Sequence, residues 1–111
     1  MESARIEEIT SDQFLDRVVI PQADALVKIS SPWNGAGQML NHTLVELAQK
    51  YADRIPFYSV DQDSNMEFIV SYMVDSTPAL LFFKGGTLVD KLAGLNHRNI
   101  IEEKINQIVN A

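Results

Sequence analysis

The sequence contains no cysteine, and it has only one tryptophan, five glycines and four prolines in 111 residues. The lack of cysteine excludes disulfide bonds, zinc–thiolate sites, iron–sulfur clusters and cysteine nucleophiles. Positive charge is also scarce, with nine lysines and arginines against fifteen aspartates and glutamates. The net charge of −6 argues against nucleic acid or an anionic membrane surface as a partner, because both need a basic face.

Long apolar segments are absent too. No run approaches the roughly 20 residues of a membrane-spanning helix. The N-terminal residues lack the basic and apolar regions of a signal peptide. We therefore expect a cytoplasmic protein with no membrane partner. With 46% apolar and 22% charged residues, the composition is that of a soluble globular protein, and we expect a single domain over residues 1–111.

The apolar pattern predicts the element order β-α-β-α-β-α-β-β-α. Apolar residues at steps of three and four indicate a long helix from Gln38 to Ile55. Capping boxes are predicted at 10–13 and 64–67, and Asn96 is the predicted cap of the last helix. The predicted strands are 5–9, 25–29, 57–60, 79–83 and 87–92. This order indicates an α/β fold, with helices on both faces of a mixed sheet that is antiparallel at one edge.

The segment Trp33-Asn34-Gly35-Ala36-Gly37 follows the strand 25–29 and leads into the long helix. A turn between a strand and a helix N-terminus exposes backbone N–H groups, and the helix dipole favours negative charge there. Asn34 is the predicted N-cap of the helix. Such a turn often carries two cysteines as C-x-x-C, but here Asn34 and Gly37 occupy those positions.

These segments, in this order and spacing, resemble the thioredoxin family along nearly the whole chain. The turn resembles the family's Trp-Cys-Gly-Pro-Cys motif, with Trp33 and Gly35 retained. The other matching segments are Ala25 to Ile29 (the central strand), Tyr58-Ser59-Val60-Asp61, Thr77-Pro78 with the strand and the Gly85-Gly86 hairpin after it, and Ala93-Gly94-Leu95. The resemblance implies a thioredoxin fold with a cis peptide bond before Pro78.

The departures from the family pattern concern its chemistry. Thiol–disulfide exchange needs a thiolate nucleophile and a resolving thiol, and neither Asn34 nor Gly37 supplies sulfur. Lys28 stands where the family has a buried acidic residue, and Ala36 stands where it has the motif proline. We therefore expect a redox-inactive protein that is not a thiol–disulfide oxidoreductase, although its family serves cell redox homeostasis.

The resemblance also implies a binding face for a protein or peptide. The family's tryptophan helps to contact the partner, and the residue before the cis-proline pairs its backbone with an extended partner segment, which is β-augmentation. The purely structural alternatives are that Trp33 packs against the sheet and holds the turn, and that the cis bond only positions the following strand. The expected face consists of Trp33, Asn34, Ser76, Thr77, Pro78 and Gly94. Its role would be that of an adaptor or chaperone-like module, in a monomer or weak dimer.

A second function is an alternative. Asn34 and the amides of the turn are positioned to hold an anion, in a small-molecule or glutathione-like site, with Lys28 as base, nucleophile or anion ligand. The simpler interpretations are a plain N-cap, and a lysine whose head reaches water or pairs with a carboxylate such as Asp61. The glutathione-binding sequence signature is absent. His42 and His97 lack partners at metal-site spacing, so we expect no metal and no cofactor.

Overall fold

The fold, seen in a computed structural model, is described for residues 6–110. The strands are β1 (Glu7–Glu8), β2 (Ala25–Ser30), β3 (Phe57–Asp61), β4 (Ala79–Lys84) and β5 (Thr87–Ala93). The helices are α1 (Ser11–Phe14), α2 (Gly35–Lys50), α3 (Met66–Ser71) and α4 (Arg98–Val109). A π-helical stretch, Leu15–Val19, continues directly from α1.

One mixed sheet has the strand order β1-β3-β2-β4-β5. β1 and β2 each pair with β3 in parallel, whereas β4 is antiparallel to both β2 and β5. The order of elements and the mixed character of the sheet confirm the predicted α/β fold. The hairpin between β4 and β5 turns at Gly85 and Gly86, whose φ angles of 62° and 84° suit glycine at both turn positions.

Alternating side chains of the central strands build one apolar core on each face of the sheet. Leu26 of β2 and Phe82 of β4 pack against α2 and α4. Val27 and Phe83, one residue further along, pack against α1 and α3. All four side chains are fully buried. Lys28 shares the face of Leu26 by the two-residue period of a strand, which places it on the α2 side of the sheet.

The long helix ends earlier than its apolar pattern predicts. α2 stops at Lys50, and Tyr51 leaves helical geometry with φ −110° and ψ 16°. The Tyr51 hydroxyl lies 2.8 Å from a Glu102 carboxylate oxygen and 3.0 Å from Asn106 Oδ1, both on α4. Tyr51 and Ile55 are buried in the same core as the helix, so the spacing of apolar residues continues although the helix does not.

Two of the predicted helix caps are wrong. Asn65, not Ser64, precedes α3, and its side chain makes no capping bond there. The Ser64 hydroxyl donates to Asp61 Oδ2 at 2.8 Å instead. At the last helix the preceding residue is His97, while the Asn96 amide donates to the carbonyl of Ala93 at 3.0 Å. In both loops, side chains bond backward to the preceding strand rather than forward to the helix.

The first capping box is confirmed. The Thr10 hydroxyl accepts from the Gln13 N–H at 3.2 Å, and the Gln13 side-chain oxygen accepts from the Thr10 N–H at 2.9 Å. No helix in the described range 6–110 has the length and hydropathy needed to cross a membrane.

Candidate functional site

The turn after β2 presents its tryptophan to solvent. The Trp33 side chain is 86% exposed. Asn34 is the N-cap of α2 as predicted, and its Oδ1 accepts from the Gly37 N–H at 3.1 Å. The Gln38 amide donates to the Pro32 carbonyl at 3.0 Å and ties the first helical turn to the loop before it. Hydrogen bonds therefore hold the turn at the start of α2, while the Trp33 indole itself projects into solvent.

Gly37 packs directly against the end of β2. A Cβ atom on Gly37 would lie 2.9 Å from Ser30 Cβ and 3.1 Å from Ser30 Oγ. At Gly35, by contrast, an added Cβ would meet nothing within 4 Å. The position that carries the second cysteine of C-x-x-C therefore has no room for a side chain here.

The second part of the predicted face is the segment before β4. The peptide bond between Thr77 and Pro78 is cis. The Gly94 N–H donates to the Pro78 carbonyl at 2.8 Å, and the Thr77 hydroxyl donates to Gln62 Oε1 at 2.6 Å. Ser76 is exposed and Thr77 is half-buried.

The sheet brings the turn and this segment to the same end, where β2 finishes and β4 begins. Ile29 near the end of β2 pairs with Ala79 at the start of β4, so the turn and Pro78 leave the sheet at one end. The β4–β5 hairpin lies at the opposite end, because Ala25 pairs with Phe83. Among the described residues, the Thr77 backbone N–H and carbonyl make no hydrogen bond. The Thr77 backbone groups at this end of the sheet are therefore unpaired within the described residues.

Lys28, in the second half of β2, is half-buried. Its Nζ donates to Asn41 Oδ1 on α2 at 3.3 Å, so the considered pairing with Asp61 is wrong. Burial lowers the pKa of the Lys28 ammonium from its ordinary value, and the Glu8 carboxylate partly opposes that shift. Lys28 and Trp33 line the same cavity.

The cavity beside Trp33 measures about 560 Å³. Its walls come from β1, the ends of β2 and β3, the turn and the first part of α2. The charged residues that line it are Glu8, Lys28, Asp61 and Asp63. Among the described residues, Asp61 Oδ1 is the one buried side-chain atom without a hydrogen-bond partner. A second, adjoining cavity of about 430 Å³ shares Asp63.

Sequence reasoning missed several residues that shape this region. Asn65 is 9% exposed and joins α1 to the end of β3: its Oδ1 accepts from the Ser11 N–H, and its Nδ2 donates to the Asp61 carbonyl. Gln62 links the Ser30 carbonyl to the Thr77 hydroxyl. Gln62 could have been noticed as a polar residue directly after a strand, whereas Asn65 lies four residues beyond that strand and had no such signal. Asn41 carried no such signal.

The described residues contain no group of three or more His, Asp or Glu side chains arranged to hold a metal ion. His42 and His97 are both exposed.

The fold and site together define a class: a thioredoxin-fold protein whose strand–turn–helix corner carries no thiol. The family model described as thioredoxin matches residues 5–107, and the chain belongs to the thioredoxin family. It has no cysteine, so it lacks the sulfur atoms that dithiol exchange requires.

The chain is similar to several curated thioredoxins. It is 29% identical over 103 residues to the chloroplastic M-type thioredoxin of Pisum sativum, covering 92% of this chain. The chain spans only 60% of that pea protein's length. Thioredoxin 1 of Nostoc is 28% identical over 100 residues, covering 90% of this chain and 94% of the relative. Drosophila melanogaster Thioredoxin-T is 36% identical over 84 residues, covering 74% and 54% respectively.

Solved structures agree on the fold. The thioredoxin of Malassezia sympodialis superposes with a TM-score of 0.86 at 20% identity, covering 98% of this chain and 95% of that one. The thioredoxin of Trypanosoma brucei brucei gives 0.85 at 15% identity, covering 99% and 96%. These likenesses establish the architecture around the turn.

Removing the Asn34 cap should destabilise the turn. We expect Asn34→Ala to lower the free energy of unfolding by about 1 kcal/mol, because the Gly37 N–H loses its acceptor. Asn34→Asp keeps an oxygen acceptor and should stay within about 0.5 kcal/mol of the wild type. Urea denaturation measures both. Equal stability of the alanine variant and the wild type would contradict the capping role.

The Lys28 ammonium should titrate below the other lysines, because burial disfavours its charged form. Its charge therefore opposes folding at neutral pH, and that opposition is relieved as pH rises through the lowered pKa towards 10.5. Glu8→Gln removes the opposing carboxylate and should lower the Lys28 pKa further. NMR titration of the lysine side chains measures the shift.

The matched control for that titration is Glu7→Gln. Glu7 lies next to Glu8 but pairs with Arg17 at 2.7 Å, so its removal should leave the Lys28 pKa unchanged. A Lys28 pKa at or above its ordinary value, or equal effects of the two variants, would contradict this account of the buried ammonium.

Proposed function

We propose that this protein is a redox-inactive member of its family that binds an extended segment of a protein partner. The binding surface, called here the Trp33 face, consists of Trp33, Asn34, Ser76, Thr77, Pro78 and Gly94, of which Pro78 is buried in the free protein. The observation that carries the proposal is that the exposed Trp33 indole and the unpaired Thr77 backbone lie at the same end of the sheet. The role is that of an adaptor or chaperone-like module rather than an enzyme.

An exposed indole is a strong contact group. Tryptophan combines a large apolar area with an N–H donor and few rotatable bonds, so binding costs it little conformational entropy. Trp33 lies on a capped helix start and not on a loose loop, because Asn34 and Gln38 hold the turn. A pre-organised aromatic group of this kind supports a contact role.

The backbone of Thr77, in the segment before β4, also supports the proposal. Its side chain is held by Gln62, while its N–H and carbonyl make no hydrogen bond within the described residues. An extended segment that pairs with Thr77 would satisfy both groups in the manner of strand addition. The neighbouring Pro78 carbonyl already accepts from Gly94, so the pairing is confined to Thr77.

The anion-binding alternative has less support. Asn34 Oδ1 already occupies the Gly37 N–H, which removes one amide from a candidate anion site. The cavity next to the turn is lined by Glu8, Asp61 and Asp63 together with the cation Lys28, and carboxylates repel an anion.

Photo-crosslinking in the native cell tests the proposal, because it captures a partner whose identity need not be chosen beforehand. A benzoylphenylalanine at position 33 should yield covalent adducts with one or a few proteins. The control position is 89, because Val89 is also exposed and apolar but lies near the hairpin at the far end of the sheet. Adducts from position 89 alone, or from neither position, would contradict binding at the Trp33 face.

A further inference from the structure

We propose that the cavity beside Trp33 takes a basic side chain, arginine or lysine, from the extended segment bound at the Trp33 face. This inference rests on the proposed function and adds the chemistry of the partner. It predicts that the partner segment is basic and that one of its side chains passes Trp33 into the space of about 560 Å³. A space of that size lies within the usual range of ligand sites.

Charge is distributed unevenly over the two adjoining cavities. Five carboxylates line them: Glu8, Asp12, Asp61, Asp63 and Glu67. Among the residues that the structure describes, the only cationic side chain in either wall is Lys28. Asp63 belongs to both walls, so the two cavities are neighbours, and together they are called here the acidic surface.

The carboxylates of this surface form no ion pairs within the described residues, as is also true of Asp16, Asp53, Asp75 and Glu103. Outside it, several acidic side chains pair with a lysine or arginine within 4.0 Å: Glu7, Asp24, Glu46, Asp90 and Glu102. None of the five cavity carboxylates has such an ion pair within the described part of the chain. Apart from the attraction between Glu8 and Lys28, their negative charge is therefore available to a cation supplied from outside.

Asp61, which lines the cavity, gives a second observation. Its Oδ2 accepts from the Ser64 N–H at 3.1 Å and from the Ser64 hydroxyl at 2.8 Å. Its Oδ1 is buried and, within residues 6–110, has no hydrogen-bond partner. A buried oxygen without a partner is costly. Because solvent does not touch Oδ1, a donor in the cavity would reach it only after the Asp61 side chain rotates, and would then remove that cost.

The geometry favours an organic cation over a metal ion. In the described part of the chain, no three acidic or histidine side chains are close enough to hold a metal. Carboxylates spread along a surface suit a long side chain with several N–H donors, as in arginine. The Trp33 indole at the cavity wall adds a face on which a guanidinium can stack.

Gln62 connects the Thr77 segment to the part of the chain that carries Asp61 and Asp63. Gln62 lies between Asp61 and Asp63 in the chain, and its Oε1 accepts from the Thr77 hydroxyl. An extended segment paired with Thr77 therefore runs beside the acidic wall. Successive side chains of such a segment point to opposite sides, so alternate residues face the cavity.

Trp33 fluorescence tests the inference, because Trp33 is the sole tryptophan and its signal reports this site alone. The probes are a short peptide in which valine and arginine alternate, and the same peptide with glutamine at every arginine position. We expect the arginine peptide to bind about tenfold more tightly at low salt, with the difference shrinking as salt increases.

Two variants distinguish a contact in the cavity from attraction by the overall negative charge of the protein. Asp63→Asn should weaken the arginine peptide about fivefold, because Asp63 is exposed and belongs to both cavities. Glu103→Gln removes an equal charge from the exposed surface of α4 and should have little effect. Equal effects of the two variants, or equal binding of the two peptides, would overturn the inference.

The two proposals fail in different ways. Equal binding of both peptides, lost in Trp33→Ala, would overturn the basic preference and leave the Trp33 face intact. A complete lack of peptide binding would overturn the basic-segment inference, while crosslinking at position 33 would still decide the proposed function.

Discussion

Replacing Trp33 with alanine should weaken binding of the crosslinked partner about thirtyfold, which corresponds to about 2 kcal/mol. An aromatic side chain at the centre of an interface contributes this much when contact removes it from water. Trp33 is 86% exposed in the isolated chain, so nearly all of its area is available for burial by a partner. Titration calorimetry with the purified partner measures the change in the dissociation constant.

The same substitution should leave the fold unchanged. A side chain so exposed makes few contacts, and its removal should alter the free energy of unfolding by no more than about 0.5 kcal/mol. Val89→Ala is the matched control, since it also shortens an exposed apolar side chain and should not change the affinity. If Trp33→Ala lost stability as well as binding, Trp33 would have a structural role in holding the turn.

Gly37→Ala should lower the free energy of unfolding by about 1–3 kcal/mol. The added Cβ would lie 2.9 Å from Ser30 Cβ, and neither atom can rotate away from the other. Gly37 is also buried, so the helix start cannot shift outward without disturbing the packing of α2 against the sheet. Denaturant unfolding with an unchanged slope would report this loss as stability alone.

Two further variants isolate the contact. Gly35→Ala lies in the same helical turn, but its Cβ meets nothing within 4 Å, so that variant should be neutral or slightly stabilising. Ser30→Gly removes the opposing atoms and should restore most of the stability of Gly37→Ala. A Gly37→Ala protein as stable as the wild type would mean that the backbone relaxes easily and that the contact is unimportant.

The same contact would oppose a cysteine at position 37. A cysteine at position 37 would place its Cβ where alanine would, against Ser30. Restoring both sulfur atoms at positions 34 and 37 therefore requires repacking at the end of β2 as well. The lack of a thiol at position 37 therefore agrees with the local packing against Ser30.

Much of the fold was predictable from the sequence, because strand and helix periods follow directly from burial. The five strands and four helices occur in the predicted order, since the apolar segments such as 79–83 are buried on both faces. Helix ends were less predictable. The α2 pattern continued to Ile55 because Tyr51 and Ile55 are buried outside the helix, and Ser64 and Asn96 bond to preceding strands.

The site divides in the same way. The turn at Trp33 and the segment at Thr77 were recognisable from short stretches that match the family. The acidic cavity was not, because Glu8, Asn41 and Asp63 come from separate elements and meet only through the parallel pairing of β1, β3 and β2. Lys28 was the one residue of that cavity whose unusual place in an apolar strand marked it in the sequence.

Amide hydrogen exchange at Thr77, measured in the free protein and in the complex with the crosslinked partner, tests the central claim most directly. The claim predicts that the Thr77 N–H, which has no hydrogen-bond partner among the described residues, exchanges rapidly when free and becomes protected when an extended segment pairs with it. Unchanged exchange at Thr77, with new protection confined to the surfaces of α2 and α4, would contradict it.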